Sequence, residues 1–428
     1  MMDSEVSVLL HCAAWRGLLE PQVQVELSER FNRRTDPALE REIEAVWTER
    51  VSKEPWLFNG SKFRLHSFCL ASPMHASSSC LPPKRPPCRG APGPHVPVLD
   101  RAEDQEGELN SRQEENLCSS DSLHDIAQNS LDERNRPVKQ AENVDSVINQ
   151  TAGAWSRASS TCDCRESQAS TAELPSHKNT DEQETGPLLT LRLGLTCYRD
   201  YLGTNWSCRV AELRRRGEVE FGDPLALLAQ PLGVGAVLCT ADGQVVLIRR
   251  SQRVAEAGGL LDIPGGHPEP KVVCEHLGQA VCEEQISVDM MQQRPVVSEL
   301  FSSVCAEIRD EVNIPLSSLG EPVLMGVALN HTSAGRPSAE FYVSCSLTSD
   351  EVRKLYWKGG AEAHESTDII FLSRTEVLQL DRNSPLWLEL CPSAKGAVLL
   401  YQTVEPDGER GPNRRHDTQL IASENGSA

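Results

Sequence analysis

Three acidic side chains lie close together near the end of a predicted helix, at Glu307, Asp310 and Glu311. Residues one helical turn apart are neighbours, so the carboxylates of Glu307 and Glu311 are expected to be adjacent. Acids in a last helical turn also oppose the helix dipole, at roughly 0.3–1 kcal/mol each. Oxygen ligands in such a pair suit a hard divalent cation such as Mg²⁺. The pattern indicates either a metal site or a frayed helix end with solvated acids.

The helix that carries these acids is predicted over 299–314 from apolar residues at helical spacing. Its apolar stripe is formed by Val297, Leu300, Phe301, Val304 and Ile308. At about 100° per residue, Glu311 falls inside the stripe and Glu307 lies at its edge. An acid that points inward among apolar side chains suggests a bound cation, but periodicity alone leaves the metal site and the frayed end equally open.

A glycine-rich turn, DIPGGHPEP over 262–270, comes before this helix in the chain. Pro264 fixes its own φ, and Gly265 and Gly266 are expected to adopt backbone conformations that other residues avoid. Residues 270–298, between the turn and the helix, are predicted to form an irregular insertion. The turn and the helix are therefore the elements that must position the acidic side chains.

The composition limits the possible functions of the 428-residue chain. Its formal net charge of −20 argues against a nucleic-acid surface, which needs clustered Lys and Arg. No apolar run approaches the roughly 20 residues of a membrane span, and the acidic N-terminus argues against a secretory signal. The 15 cysteines contain no CxxC pair and are best interpreted as reduced thiols. We expect an intracellular protein, cytoplasmic or nuclear, and the sequence does not indicate protein partners.

Changes in composition divide the chain into five segments. An N-terminal α+β region over 1–73 is followed by an acidic, Ser- and Pro-rich insertion over 74–186, which is predicted to be disordered. The N-terminal region resumes over 187–230. A larger α/β domain is predicted over 231–404, and a polar tail over 405–428 completes the chain.

The N-terminal region is predicted from elements on both sides of the insertion. A strand is expected over 6–12 and a helix over 37–51. The buried face of that helix is predicted to consist of Leu39, Ile43, Val46 and Trp47. Period-two alternation indicates one strand over 63–69 and another over 189–195. These two strands can pair as a hairpin, with the insertion as its overgrown loop, because closure entropy grows slowly with loop length.

The larger domain is predicted to contain a mixed β-sheet with helices on its faces, because its helices do not alternate regularly with strands. Asp242-Gly243 between two apolar runs is a strong hairpin signal. A helix and linker are expected over 221–233. Further strands are predicted over 322–330, 339–347 and 368–374, and further helices over 208–216, 349–358, 375–380 and 385–404.

The run PGGHPE, followed by a helix with AEIRDE, resembles the box of the Nudix hydrolases. This resemblance places Glu307 and Glu311 on the principal Mg²⁺ ligands of that family. The chain departs from the pattern at three positions: the family arginine is Ala306, the family glycine is Asn313, and the early glutamate is Ser298, with Glu299 one residue away. The spacing between the turn and the helix is also stretched by nearly thirty residues.

Longer stretches resemble the divergent branch of the family that splits UDP-glucose and UDP-galactose. They include KFRLHS, LRLGLTCYRDYLGTNW, RRSQRVAEAGGLLDIPGGHPEP, SAGRPSAEFYV and CPSAKGA, and they cover both predicted folded regions. The resemblance implies an α/β Nudix fold, a nucleotide-sugar substrate and Mg²⁺-dependent hydrolysis of the diphosphate to UMP and a sugar 1-phosphate. It implies neither a nucleic acid nor a membrane as partner.

The resemblance also implies roles for individual residues. Substrate contacts are expected from Phe58, Tyr198, Arg250, Ala255, Asp262, His267 and Glu269, with the two aromatic residues beside the base. Glu307 and Glu311 are expected to bind Mg²⁺ as catalytic residues, and Glu365 is the candidate for the general base. Lys395 and Arg336 are further candidates for phosphate contacts. Without the resemblance, the alternatives differ from residue to residue. Arg250 and Glu365 can be solvated charges, and Asp262 can be a turn cap. The remaining alternatives are a capping pair of His267 and Glu269 and core positions for Phe58 and Tyr198.

Three alternatives to UDP-sugar hydrolysis stay open. The substrate can be another nucleoside diphosphate derivative, such as ADP-ribose, a dinucleotide or coenzyme A. The departures at Ser298, Ala306 and Asn313 are also typical of a non-catalytic nucleotide-binding module. In the third alternative, the acidic insertion is the functional part and docks a partner.

Overall fold

A computed structural model describes residues 4–71, 188–254 and 256–408, all of which belong to one compact unit. The strands, in chain order, are β1 Val6–His11, β2 Val23–Leu27, β3 Ser61–Leu70, β4 Leu189–Cys197, β5 Gly233–Cys239, β6 Gln244–Arg250, β7 Leu261–Asp262, β8 Gly265–Gly266, β9 Val323–Asn330, β10 Arg336–Ser344 and β11 Ser366–Ser373. The helices are α1 Pro37–Lys53, α2 Tyr198–Gly203, α3 Val210–Phe221, α4 Pro270–His276, α5 Gln293–Val312, α6 Ser349–Tyr356, α7 Arg374–Gln379, α8 Pro385–Glu389 and α9 Pro392–Val404.

The main sheet is mixed and runs in the order β1-β9-β10-β5-β6-β11, with β7 beside β6 and β8 beside β5. β10 and β5 are parallel, whereas β9 and β11 are antiparallel to their neighbours. Helix α5 packs on one face through Leu300, Val304 and Ile308. Helix α9 packs on the other through Ala394 and Ala397. This confirms the predicted sheet between helices, and it shows that β1 of the N-terminal region joins the main sheet.

The second sheet is built from the N-terminal region, in the order β2-β4-β3. β3 and β4 are antiparallel, and the Ala71 N–H donates to the Leu188 carbonyl at 2.7 Å where the described chain is interrupted. The predicted hairpin around the insertion is thereby confirmed. A bulge between Leu65 and Ser67 shifts the alternation, so that Cys69 is exposed although the simple period-two pattern placed it inward.

Several boundary predictions were wrong for identifiable reasons. α3 ends at Phe221 and is capped by Gly222, which adopts φ 69°. Residues 222–232 form turns, buried from Ala226 onward, where a helix and linker were expected. Val46 on α1 is exposed. The single helix expected over 385–404 is broken into α8 and α9, because Leu390 is extended, bridges to Leu261 and is followed closely by Pro392. Helix α4 lies in the segment that was predicted to be irregular.

The predicted insertion over 74–186 and most of the tail lie outside the described residues. In the ranges that are described, no helix combines the length and the apolar character that crossing a membrane requires. The described cysteines are free thiols.

Candidate active site

The carboxylates of Glu307 and Glu311 lie against the glycine turn and are held by its main-chain amides. The Gly265 N–H donates to Glu311 Oε2 at 2.9 Å, and the His267 N–H donates to the Glu307 carboxylate. A side chain on Gly266 would overlap the Glu307 carboxylate. Gly265 and Gly266 are extended, pair with β5 and do not have positive φ. Glycine is needed at these positions because a larger side chain would overlap neighbouring atoms. The expectation of an unusual backbone conformation there was wrong.

Burial dominates the electrostatics of this pair. Burial, together with smaller contributions from the nearby Glu362 and Glu365, raises the pKa of Glu307 to about 7. Burial also raises the pKa of Glu311 well above its usual value, and the neighbouring Glu307 adds to the effect. The ion pairs formed by the described residues include neither carboxylate. Half-buried Glu307 and buried Glu311 therefore repel each other, as expected for ligands of a cation.

A third carboxylate reaches the same turn from α5. Glu299 is buried, and its Oε1 accepts the Glu269 N–H at 3.0 Å. Burial raises the pKa of Glu299 to about 7, and Glu269 raises it further. Glu299, Glu307 and Glu311 are separated by multiples of four residues, so they lie along one ridge of the helix. That spacing was a signal for Glu299, although the family pattern places its glutamate at Ser298.

The donor set fits a hard divalent cation held by few protein ligands. Across residues 4–71, 188–254 and 256–408, no group of three or more His, Cys, Asp or Glu side chains is arranged to enclose a metal ion. Mg²⁺ is commonly bound by one or two carboxylates and completes its octahedron with water and substrate phosphate oxygens. The Glu307 and Glu311 carboxylates match that arrangement.

A cavity of about 420 Å³, the main cavity, opens beside the turn, whose Gly265, Gly266 and His267 contribute to its wall. Arg250 and Asp262 also line it, and Arg250 Nη1 donates to Asp262 Oδ2 at 2.8 Å. Asp262 Oδ1 in turn accepts the Ser393 hydroxyl at 3.0 Å. Arg250, Asp262 and His267 are thus brought together as the sequence predicted.

His267 lies in surroundings that disfavour its charged form. Burial lowers the pKa of His267 well below its usual value, and the positive charges of Lys62 and Arg336 lower it further. Lys62 Nζ lies 3.0 Å from Glu269 Oε1. Glu269 lines neither the main cavity nor its neighbour, and its contact with substrate stays a prediction.

A second cavity of about 270 Å³, the aromatic cavity, adjoins the first. It is lined by Tyr198, Tyr201 and Trp206, and its wall shares Arg250, Glu256, His267, Arg336 and Glu365 with the main cavity. Tyr198 packs on Tyr201 with ring centroids 6.4 Å apart. A flat base would find stacking surfaces here.

Two predicted substrate contacts are not brought to either cavity by the described structure. Phe58 is 68% exposed and lies on the segment between α1 and β3. Ala255 lies outside the described residues. Both stay predictions.

The loop over 357–365, between α6 and β11, carries the predicted base. Glu365 lines both cavities, and its carbonyl accepts the Ser251 N–H at 2.7 Å. The Glu362 N–H donates to the Asp310 carbonyl at 3.0 Å, which anchors the loop on the end of α5. Burial and the neighbouring Glu365 raise the pKa of Glu362. Sequence reasoning missed Glu362, which is a second acid of the same loop.

Sequence reasoning also missed Trp206, Ser393 and Glu256, because their place in the site depends on long-range packing. Lys395 was suggested as a phosphate contact, but its Nζ pairs with Glu5 and it lines neither cavity. Arg336, the other suggestion, lines both cavities.

Comparison with known proteins gives consistent results. The chain is 39% identical to the human protein named uridine diphosphate glucose pyrophosphatase NUDT22, over 94% of each chain. It is 38% identical to the mouse protein of the same name, over 97% of this chain and 96% of that one. The plant protein Nudix hydrolase 9 of Arabidopsis thaliana is 26% identical, over 89% and 87%. No protein-family model matches the sequence.

The missing family-model match agrees with the irregular box, in which Ala306, Asn313 and Ser298 depart from the pattern. Asn313 nevertheless fills the position of the family glycine, since it caps α5 with φ 63°. With relatives of this identity and coverage, the chain belongs to the Nudix hydrolase family.

Proposed function

We propose that the protein hydrolyses the diphosphate of UDP-glucose or UDP-galactose, with Mg²⁺, to UMP and the sugar 1-phosphate. The observation that carries the proposal is the pair formed by half-buried Glu307 and buried Glu311, whose carboxylates accept main-chain N–H groups of the glycine turn. The same turn that holds these carboxylates also lines a cavity containing Arg250. The human and mouse relatives, whose names specify a UDP-glucose pyrophosphatase, support the choice of substrate.

The chain's own residues have separate tasks in this proposal. Arg250, oriented by Asp262, donates hydrogen bonds to diphosphate oxygens. Tyr198 stacks against the base. Glu365 accepts the proton of the attacking water through its carboxylate. A cation bound by Glu307 and Glu311 would neutralise phosphate charge and make the water more acidic.

The first test measures products. Purified protein with Mg²⁺ is expected to convert UDP-glucose to UMP and glucose 1-phosphate, and EDTA is expected to abolish the reaction. ADP-ribose, a dinucleotide and coenzyme A serve as competing substrates. Turnover of one of these without turnover of UDP-glucose or UDP-galactose would contradict the proposed substrate.

The second test removes one carboxylate charge. Glu307→Gln is expected to lower kcat at least about a hundredfold, because loss of a ligand should exceed the loss of a supporting contact. Asp310→Asn is the matched control: it lies on the same helical turn, but its carboxylate pairs with Arg309. Undiminished turnover by Glu307→Gln would show that the metal assignment is wrong.

We propose an intracellular location as well. The free thiols of buried Cys12, Cys239 and Cys274 support a reducing environment.

A further inference from the structure

Glu256 is the meeting point of several side chains in the cleft, and the proposed reaction does not use it. It lies in the segment over 251–260 that connects β6 to β7. Its Oε1 accepts the hydroxyls of Tyr201 at 2.5 Å and Ser333 at 2.8 Å. Its Oε2 lies 3.1 Å from Arg336 Nη2. The main-chain carbonyl of Glu256 accepts the Arg250 Nε–H at 3.1 Å.

Both arginines held by Glu256 line the main cavity and the aromatic cavity. Arg336 is 17% exposed, and its guanidinium lies 5.6 Å from the centre of the Tyr201 ring. The contacts among the described residues occupy Nη2 of Arg336, so that other donors of this five-donor group can face a ligand. Arg250 donates through Nε to Glu256 and through Nη1 to Asp262. One residue therefore orients two cationic groups.

Two guanidinium groups in one cleft would repel each other and sample many rotamers if nothing held them. The carboxylate of Glu256 removes part of that repulsion and fixes the rotamer of Arg336. The main-chain carbonyl of Glu256 fixes the orientation of the Arg250 guanidinium. The guanidinium groups of Arg250 and Arg336 are therefore ordered before a ligand with two adjacent phosphate groups binds. Binding then costs less conformational entropy.

We propose that Glu256 is a positioning residue, which holds Arg250 and Arg336 in place for the two phosphate groups of a nucleoside diphosphate. The inference rests on the proposed function for the nature of the substrate. A competing effect has the opposite sign, because a carboxylate near phosphates repels them and competes for Arg336. The direction of the change in affinity therefore decides between positioning and competition.

The informative variant is Glu256→Gln. Its side-chain carbonyl can still accept from Tyr201 and Ser333, and its main-chain carbonyl still faces Arg250. The charge that pairs with Arg336 is lost, and so is the acceptor that faces Arg336 Nη2, because an amide NH2 group takes the place of Oε2. Affinities for UDP and for uridine are measured by calorimetry in EDTA, so that metal binding does not contribute. We expect UDP affinity to fall about tenfold, the effect of losing a charged hydrogen bond, and uridine affinity to change less than twofold.

A matched control is available beside the cleft. Glu389 pairs with Arg249 at 2.9 Å, next to Arg250 in the chain, and neither residue of that pair lines the main cavity or the aromatic cavity. Glu389→Gln therefore removes an arginine–glutamate pair without touching the cleft. We expect its affinities for UDP and uridine to equal those of the unmodified protein.

A double-mutant cycle tests whether Glu256 acts through Arg336. Arg336→Ala is expected to weaken UDP binding, and Glu256→Gln combined with Arg336→Ala is expected to weaken it no further. Additive losses would overturn the proposal, as would equal losses for UDP and uridine. Tighter UDP binding by Glu256→Gln would identify Glu256 as a competitor of the phosphates.

Thermal unfolding checks that each variant is folded. If Glu256→Gln does not fold, Arg336→Lys keeps the charge but not the fork, and it should weaken UDP and not uridine. Equal affinity of the unmodified protein for UDP and uridine in EDTA would also overturn the inference. The proposed function is tested in a separate assay. It fails if UDP-glucose and Mg²⁺ give no UMP and no glucose 1-phosphate, whatever the affinities in EDTA are.

Discussion

Glu340 is a fully buried acid in the described structure. It lies on β10 and has no exposed surface, and the side chain of Ser338 is the polar neighbour that favours its charged form. Burial, with a smaller contribution from the charge of Asp262, raises the pKa of Glu340 to about 8, and this value already includes the lowering effect of the Ser338 side chain. A side chain on Gly235 would approach Glu340 Oε2 to 2.5 Å, so the carboxyl group lies directly over that glycine. We infer that Glu340 carries a proton at neutral pH.

This protonation makes a prediction for stability. Between pH 4.5 and 8 the unfolded chain has lost the Glu340 proton while the folded chain keeps it, so stability falls as pH rises, by at most about 1.4 kcal/mol per unit. Glu340→Gln mimics the neutral form and should lack this dependence. Urea unfolding at pH 5.5 and 7.5 should show the variant gaining about 2 kcal/mol relative to the unmodified protein.

Exposed Glu389 provides the comparison for Glu340, because Glu389→Gln should leave the pH dependence unchanged. Parallel pH profiles for Glu340→Gln and the unmodified protein would show that Glu340 is ionised in the fold.

Periodicity was sufficient to predict the Glu307 and Glu311 pair, because both residues lie on one continuous helix. It could not predict the hydrogen bond from Ser393 to Asp262, since those residues are distant in the chain and meet only through the packing of α9. Glu256 was missed for the same reason. Single residues are therefore predictable where their partners are local.

At the scale of elements, the glycine turn and α5 act as one unit, since the turn's amides hold the helix's carboxylates. The two glycines differ in what surrounds them. A side chain at position 266 would meet the flexible end of Glu307, whereas one at position 265 would lie 2.5 Å from the rigid carbonyl of Val234. The same substitution should therefore have different effects at the two positions.

Gly266→Ala is expected to keep its stability within about 0.5 kcal/mol, because the Glu307 side chain can move aside. Its kcat should fall about ten- to a hundredfold, since the carboxylate is displaced from the turn. Gly265→Ala should instead lose about 1–3 kcal/mol of stability through overpacking. Urea unfolding and UDP-glucose turnover measure both effects, and full activity in Gly266→Ala would mean that the position of Glu307 is not critical.

Elements with local signals were predictable. The hairpin of β5 and β6 follows from Asp242-Gly243, and α5 follows from its apolar stripe. The break between α8 and α9 was not predicted, because its cause is a bridge from Leu390 to the distant Leu261. Long-range pairing overrode local helical preference there.

At the scale of the whole molecule, β3 and β4 pair along their lengths up to the point where the described chain is interrupted. The order of the main sheet was not predictable, because the parallel pairing of β10 with β5 joins segments about a hundred residues apart in the sequence. The sequence pattern did predict a mixed sheet between helices, which needs only the order of the elements.

We propose that residues 74–186 are peripheral to catalysis, and replacing them with a short Gly-Ser linker tests this. The hairpin is closed by the hydrogen bond between Ala71 and Leu188, so the fold does not need the long connection. UDP-glucose turnover should stay within twofold, and stability should rise by about 0.6 kcal/mol per halving of the loop. Loss of turnover in a folded deletion variant would show that the segment contributes to the site.

The main-chain hydrogen bonds to Glu307 and Glu311 have a consequence for which substitutions this sequence can tolerate during evolution. Main-chain N–H groups do not change when side chains mutate, so neighbouring side chains of the box are not needed to orient the two carboxylates. Ala306 and Ser298 can then be tolerated where the family pattern has Arg and Glu, as long as the turn keeps its shape. The residue pattern of the box can therefore change while the main-chain hydrogen bonds to Glu307 and Glu311 are kept.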